Sequence, residues 1–364
     1  MIMKRNIAIK PSLFLRPLPN FAITAPGSKQ VRRQSNIPKT ALAAIVTDWS
    51  IGAIAQNLGI LGVATLTLSG CWQQSMAPDE SGTDAPQVVV TSTILTDLVA
   101  TVGGDNIAVT GLLDPGDDPH LYEPVPQDTV ALERADLIFY NGYNLEPALI
   151  RLIEGAGVQA EKVALGEEIQ PLTFEEEGQR QPDPHVWGNV ENAIAMVDTI
   201  RVTLGQKFPA DAATFDRNAA ALTAELQTLH GWIGDQVDTI PANQRTLVTT
   251  HDAFQYYAQA YGLTVLGTLI GISTEEQPSA QTVRLLVDAI RQAQVPAIFA
   301  ETTINPALIT TVATEAGVRL AEPALYADAL GAPGSGADTY MTMMATNTET
   351  IVTALGGAVI PYAQ

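Results

Sequence analysis

Beyond residue 87 the chain alternates short β-branched runs with stretches of helical spacing. Residues 87–93 (QVVVTST) predict a strand, 95–102 a helix, and 107–113 a second strand ending at Asp114-Pro115-Gly116. Residues 128–134 suit a helix, 135–140 (ADLIFY) a buried strand, and 144–153 another helix. Strands alternating with helices imply parallel sheet and an α/β fold. After Pro209 the pattern changes. Phe215, Ala219, Leu222, Leu226, Leu229, Ile233 and Val237 recur at spacings of three and four, with polar residues between them. This predicts one amphipathic helix of about seven turns, with Pro209 at its start and Pro241 beyond its end as breakers. The α/β pattern then restarts: strands at 246–250, 263–269, 297–301 and 318–320, and helices at 279–293, 307–316 and 340–355. The expected fold is α/β: two lobes, each with a mostly parallel central sheet, joined by one long rigid helix.

The first part of the chain reads differently. Residues 41–70 are largely apolar, follow a basic stretch with Arg32, Arg33 and Lys39, and end in Leu68-Ser69-Gly70-Cys71. Basic flank, apolar core and small residues before a cut are the marks of an export signal. The small pair before a cysteine resembles the lipobox of bacterial lipoproteins, which implies lipidation of Cys71 and a membrane anchor. Residues 72–86 are polar and breaker-rich, as a tether would be. The expected organisation is 1–71 leader, 72–86 tether, 87–208 N-terminal α/β lobe, 209–240 linking helix and 241–364 C-terminal α/β lobe. The expected product is an exported monomer, periplasmic or at the cell surface.

Charge removes one class of partner. With 19 basic and 39 acidic residues the formal net charge is −20, so the chain lacks the basic surface that nucleic-acid binding requires. Cys71 is the sole cysteine, which excludes internal disulfides and multi-cysteine zinc sites.

The candidate chemistry lies in histidine. Of four histidines, three fall at strand ends or in breaker-flanked loops: His120 in Asp117-Asp118-Pro119-His120, His185 in Asp183-Pro184-His185-Val186-Trp187, and His251 after the strand at 246–250. In α/β folds ligands bind beyond the C-terminal ends of strands. Imidazole suits zinc, copper, iron and nickel, and a fourth donor closes a tetrahedron. Asp338, after a loop holding Gly331, Pro333, Gly334 and Gly336, is the expected fourth donor; it is equally well placed to cap the helix that starts at Tyr340. His230 lies off the apolar stripe of the long helix and is expected to be solvated. Glu301 and Asp252 are expected as partners that orient a ligating imidazole. From spacing alone, a metal site and a set of unrelated loop histidines are equally good readings.

The motifs break that tie. Leu113-Asp114-Pro115-Gly116, Asp118-Pro119-His120, Tyr122-Glu123-Pro124, Ala135-Asp136-Leu137 and Asn141-Gly142 resemble the first lobe of TroA-like metal-binding solute-binding proteins of ABC transporters. Asp183–Trp187, Thr249-Thr250-His251-Asp252-Ala253-Phe254, Phe299-Ala300-Glu301 and Gly336–Tyr340 resemble its later motifs. The resemblance implies that His120, His185, His251 and Asp338 hold one divalent ion between the lobes, and that an ABC permease receives it. Three imidazoles lean to zinc; manganese comes next, since manganese members carry Glu where this chain has His251, and iron third. Two other classes compete: a secreted zinc hydrolase, for which only Glu301 or Asp252 offers a base, and a surface adhesin. The acidic run 175–177 reads as a solvated loop rather than a cation collector.

Overall fold

A computed structural model describes residues 85–155, 159–176 and 179–362. The expected leader, Cys71, most of the tether and Glu177 lie outside the described residues. The first half of the described chain runs β1 (Gln87–Val90), α1 (Thr93–Gly103), β2 (Ala108–Gly111), α2 (Pro126–Arg134), β3 (Leu137–Tyr140), α3 (Pro147–Gly155) and β4 (Glu161–Ala164). Its strands form a parallel sheet in the order β2-β1-β3-β4. A short antiparallel hairpin follows, β5 (Thr173–Glu176) with β6 (Gln179–Pro182), then α4 (Val190–Lys207).

Helix α5 (Ala212–Asp238) spans 27 residues. Every position of its predicted apolar stripe, from Phe215 to Val237, is buried. Beyond it come β7 (Thr246–Thr249), α6 (Gln255–Tyr261), β8 (Thr264–Thr268), α7 (Ala280–Ala293), β9 (Ala297–Ile298), α8 (Ala307–Ala316), β10 (Arg319–Leu320) and α9 (Tyr340–Ala354). Strands β7 and β8 pair in parallel, as do β9 and β10. The Phe299 N–H donates to the Val248 carbonyl and links the two pairs. The second half therefore runs β8-β7-β9-β10, the winding order of the first.

Both sheets are covered on two faces, which explains their continuous apolar runs. Alternate residues Val88, Val90, Leu137 and Phe139 enter the main core with α1, α4 and α5, while Val89 and Ile138 pack with Leu132 and Ile153 of α2 and α3. In the second half Leu247, Ala297 and Phe299 join the main core, and Val248 and Ile298 pack with Leu286, Ile290, Ile309 and Val312 of α7 and α8. The C-terminal ends of the strands of each half are left as the place where loops can carry chemistry.

Three expectations needed adjustment. The first strand stops at Val90 because the Ser92 hydroxyl accepts the Leu95 N–H and caps α1. The acidic run at 175–177, read as a solvated loop, begins inside the β5–β6 hairpin, whose polar sequence lacks an alternating apolar face. Helices α4 and α6 were not anticipated; α4 begins where the Asn189 side chain accepts the Glu191 N–H. Among the described residues no helix is long and apolar enough to cross a membrane.

Candidate metal site

Three histidines distant in sequence meet at one point. His120 follows β2, His185 follows β6, and His251 lies two residues beyond β7. Their ring centroids are 5.2 to 6.0 Å apart. His185 and His251 are fully buried and His120 is 3% exposed. The fourth group is Asp328, in the loop between β10 and α9, also buried. One donor atom from each of these four residues lies within 4.8 Å of all the others. Among the described residues, no other group of three or more His, Cys, Asp or Glu side chains converges in this way.

Asp338, the expected fourth donor, is not there. Asp338 is half-buried, and its carboxylate accepts the Gly334 N–H, which holds it below the ordinary carboxylate range. Nor does it cap α9: the Thr339 hydroxyl does, accepting the Thr342 N–H. The glycine-rich loop closes on itself through Asp338 and turns the carboxylate to solvent, ten residues past the one that faces the histidines. A signal for Asp328 existed. It stands alone in the apolar run Ala324-Leu325-Tyr326-Ala327-Asp328-Ala329-Leu330, and a buried carboxylate needs a positive partner or a metal.

Each Asp-Pro-His segment folds by the same local rule. The aspartate side chain accepts the histidine N–H two residues on: Asp118 Oδ1 from His120 at 2.9 Å, Asp183 Oδ1 from His185 at 3.0 Å. Asp183 Oδ1 also lies 2.7 Å from His185 Nδ1. Glu301 accepts the His251 N–H at 2.9 Å and meets His251 Nδ1. Both contacts occupy Nδ1 and leave Nε2 facing the common point. Asp252 does not take that part: its carboxylate accepts from Gln255 Nε2 and makes no hydrogen bond to an imidazole. Asp183, overlooked in the sequence, occupies the place expected for Asp252. His230, expected to be solvated, is half-buried with Nδ1 3.1 Å from the Tyr261 hydroxyl, remote from the cluster.

The electrostatics fit a cation. His251 Nε2 and both Asp328 oxygens are buried without a hydrogen-bond partner, although Asp328 Oδ2 lies 3.1 Å from that nitrogen. Such groups are costly to leave unpaired, and a cation at their focus would satisfy all of them. Burial pushes the His120 imidazole down to about 3, so the ring is neutral and ready to ligate. Burial is also the largest influence on His251 and would lower it, but Asp328 and Glu301 together drive it well above its ordinary value. Burial would raise Asp328; the imidazoles of His251, His185 and His120 overcome this and hold its carboxylate well below the ordinary range.

Distances favour a small shell. The separations are 3.3 Å (His120 Nε2 to His185 Nε2), 3.1 Å (His251 Nε2 to Asp328 Oδ2), 3.5 Å (His185 Nε2 to Asp328 Oδ1) and 4.0 Å (His120 Nε2 to Asp328 Oδ2). A tetrahedron with bonds of about 2.0–2.1 Å has edges of about 3.3 Å.

Comparison with known proteins places the chain among metal-binding relatives. The model of the family described as ZnuA, zinc-uptake complex component A, periplasmic, matches residues 88–354. The manganese-binding lipoprotein MntA of Halalkalibacterium halodurans is 36% identical over 296 residues, covering 81% of this chain and 97% of that protein. The manganese ABC transporter substrate-binding lipoprotein PsaA of Streptococcus pneumoniae is 30% identical, covering 82% and 98%. Among solved structures, the periplasmic zinc-binding protein TroA of Treponema pallidum superposes with a TM-score of 0.71 at 33% identity, covering 74% of this chain and 99% of that one. Iron(III)-bound YtgA of Chlamydia trachomatis gives 0.67 at 28% identity, covering 75% and 99%.

Proposed function

The chain belongs to the zinc-uptake component A family of metal-capturing, substrate-binding proteins that serve ABC importers, and on that premise we propose that its cargo ion is gripped by His120, His185, His251 and Asp328, with zinc preferred over manganese. Its role is binding and delivery, not catalysis. The observation that carries the ligand assignment is the buried convergence of three imidazoles on one carboxylate whose oxygens have no hydrogen-bond partner.

The donor set supports zinc. Zinc takes four nitrogen and oxygen ligands in a tetrahedron, whereas harder ions prefer more oxygen ligands and retain water. Four buried donors within 4.8 Å of one another leave little access for the further ligands that manganese would use. The manganese-binding names of the MntA relatives favour manganese as the second reading, and YtgA's iron as a third. An ABC permease is the expected recipient, and a lipid on Cys71 the expected anchor outside the cytoplasm, in line with relatives named as lipoproteins.

Competition calorimetry on the purified full-length protein tests the ion. One site per chain and zinc affinity at least ~10-fold above manganese are expected, following the usual order of affinities for such ligands. Tighter manganese would reverse the ion assignment. Absence of binding by either ion would overturn the site.

A further inference from the structure

Asp328 belongs by sequence to the second half of the molecule, yet residues of the first half hold its backbone. The Ala327 carbonyl accepts from the Trp187 indole Nε1 at 3.0 Å. The Leu330 N–H donates to the Thr93 hydroxyl at 2.9 Å. Both bonds are buried, and they bracket Asp328 on either side. The Trp187 ring stands edge-on to the His185 ring, with centroids 5.5 Å apart, and its own carbonyl accepts from the Tyr340 hydroxyl at 2.7 Å. On the Ala327 side the Asn347 side chain also pairs with both backbone groups of Tyr326. The Asp328 oxygens form no hydrogen bond; besides their contacts with the imidazoles of His251 and His185, the backbone bonds on either side set where the carboxylate stands.

We propose that Thr93 and Trp187 are positioning residues that clamp the Asp328 loop against the histidines and thereby set how fast the captured ion leaves. The clamp rests on the reading of Asp328 as a ligand. A metal bond depends steeply on distance, and a carboxylate with no hydrogen bond of its own relies on its backbone to stay in register with the imidazoles. Loss of either bracketing bond leaves a buried N–H or carbonyl unpaired and frees the loop to relax away from the imidazoles. Binding brings the ion to preformed nitrogens, so the arrival rate changes little; the carboxylate that closes the shell governs departure. The same two bonds join the halves of the molecule, so any movement that parts the halves breaks the clamp and opens the shell together.

The test is zinc release from the loaded full-length protein into excess chelator by stopped flow, with the association rate measured in parallel. Thr93→Val removes the acceptor at nearly constant shape and should accelerate release by ~10-fold, in the range typical of outer-shell partners, with association within about twofold. Thr93→Ser keeps an acceptor and should restore slow release, which a merely structural role at the start of α1 would not require. Trp187→Phe removes the Nε1–H donor and gives an independent reading should Thr93→Val fold poorly; it too should accelerate release. Wild-type-like release in both Thr93→Val and Trp187→Phe would overturn the clamp while leaving the metal site standing. A wild-type protein that binds no zinc or manganese would overturn both.

Discussion

The two halves of the molecule share a winding order and differ in what they bring to the site. The first half offers β2-β1-β3-β4 and supplies His120 and His185; the second offers the pairs β8-β7 and β9-β10, linked by the Phe299 N–H to Val248, and supplies His251 and Asp328. The first-half ligands are imidazoles alone. The second half adds the carboxylate in the donor cluster, while each half backs an imidazole with a carboxylate, Asp183 behind His185 and Glu301 behind His251. The lesson is that similar scaffolds divide the labour: one presents imidazole nitrogen alone, the other adds a carboxylate to the cluster. A divalent ion is drawn to charge more than to neutral donors at equal distance, so changes in the second half should cost more.

The largest expected effect follows directly. Asp328→Ala should weaken zinc binding by more than ~100-fold, beyond the 10–100-fold range of outer-shell partners, whereas Asp338→Ala should leave it within about twofold. Calorimetry on both variants checks this, and equal losses would erase the distinction between the two carboxylates. Next come the residues behind the rings. Glu301→Gln and Asp183→Asn should each weaken binding roughly 10–100-fold, with the second-half change the more damaging; a larger loss from Asp183→Asn in the same titrations would invert the comparison.

The smallest effect concerns stability rather than binding. Glu146 is buried in the first half, where its Oε1 accepts the Asn141 N–H and the Thr91 hydroxyl while its Oε2 has no partner. Burial pushes its carboxyl up to about 7, against those hydrogen bonds. A folded value raised above the unfolded one means that its contribution is fully present below pH 4.5 and is lost as pH rises through about 7. Glu146→Gln removes the charge, so the metal-free variant should gain on the order of 1–3 kcal/mol over wild type at pH 8 and little at pH 5. Melting temperatures at the two pH values decide it; an equal shift at both would assign the change to packing.

Much of this was legible in the chain because the signals were local. The stripe from Phe215 to Val237 has one periodicity and one consequence, burial against the main core. Asp-Pro-His announces itself because proline and the aspartate side chain fix the histidine's backbone before any tertiary contact forms. Asp328 was missed for the opposite reason. Nothing near it in sequence sets its position; Trp187 and Thr93, far away along the chain, do. Asp338, in a loop full of glycine and next to a helix start, looked functional because turn chemistry and site chemistry use the same residue types. The β5–β6 hairpin escaped because its strands are held by backbone pairing with little apolar alternation to read.

The most direct test of the central claim is the anomalous diffraction signal from crystals of the zinc-loaded protein. The account predicts one strong peak, about 2.0–2.2 Å from Nε2 of His120, His185 and His251 and from an Asp328 oxygen. A peak bonded to Asp338, or one lying away from the three imidazoles, would contradict it.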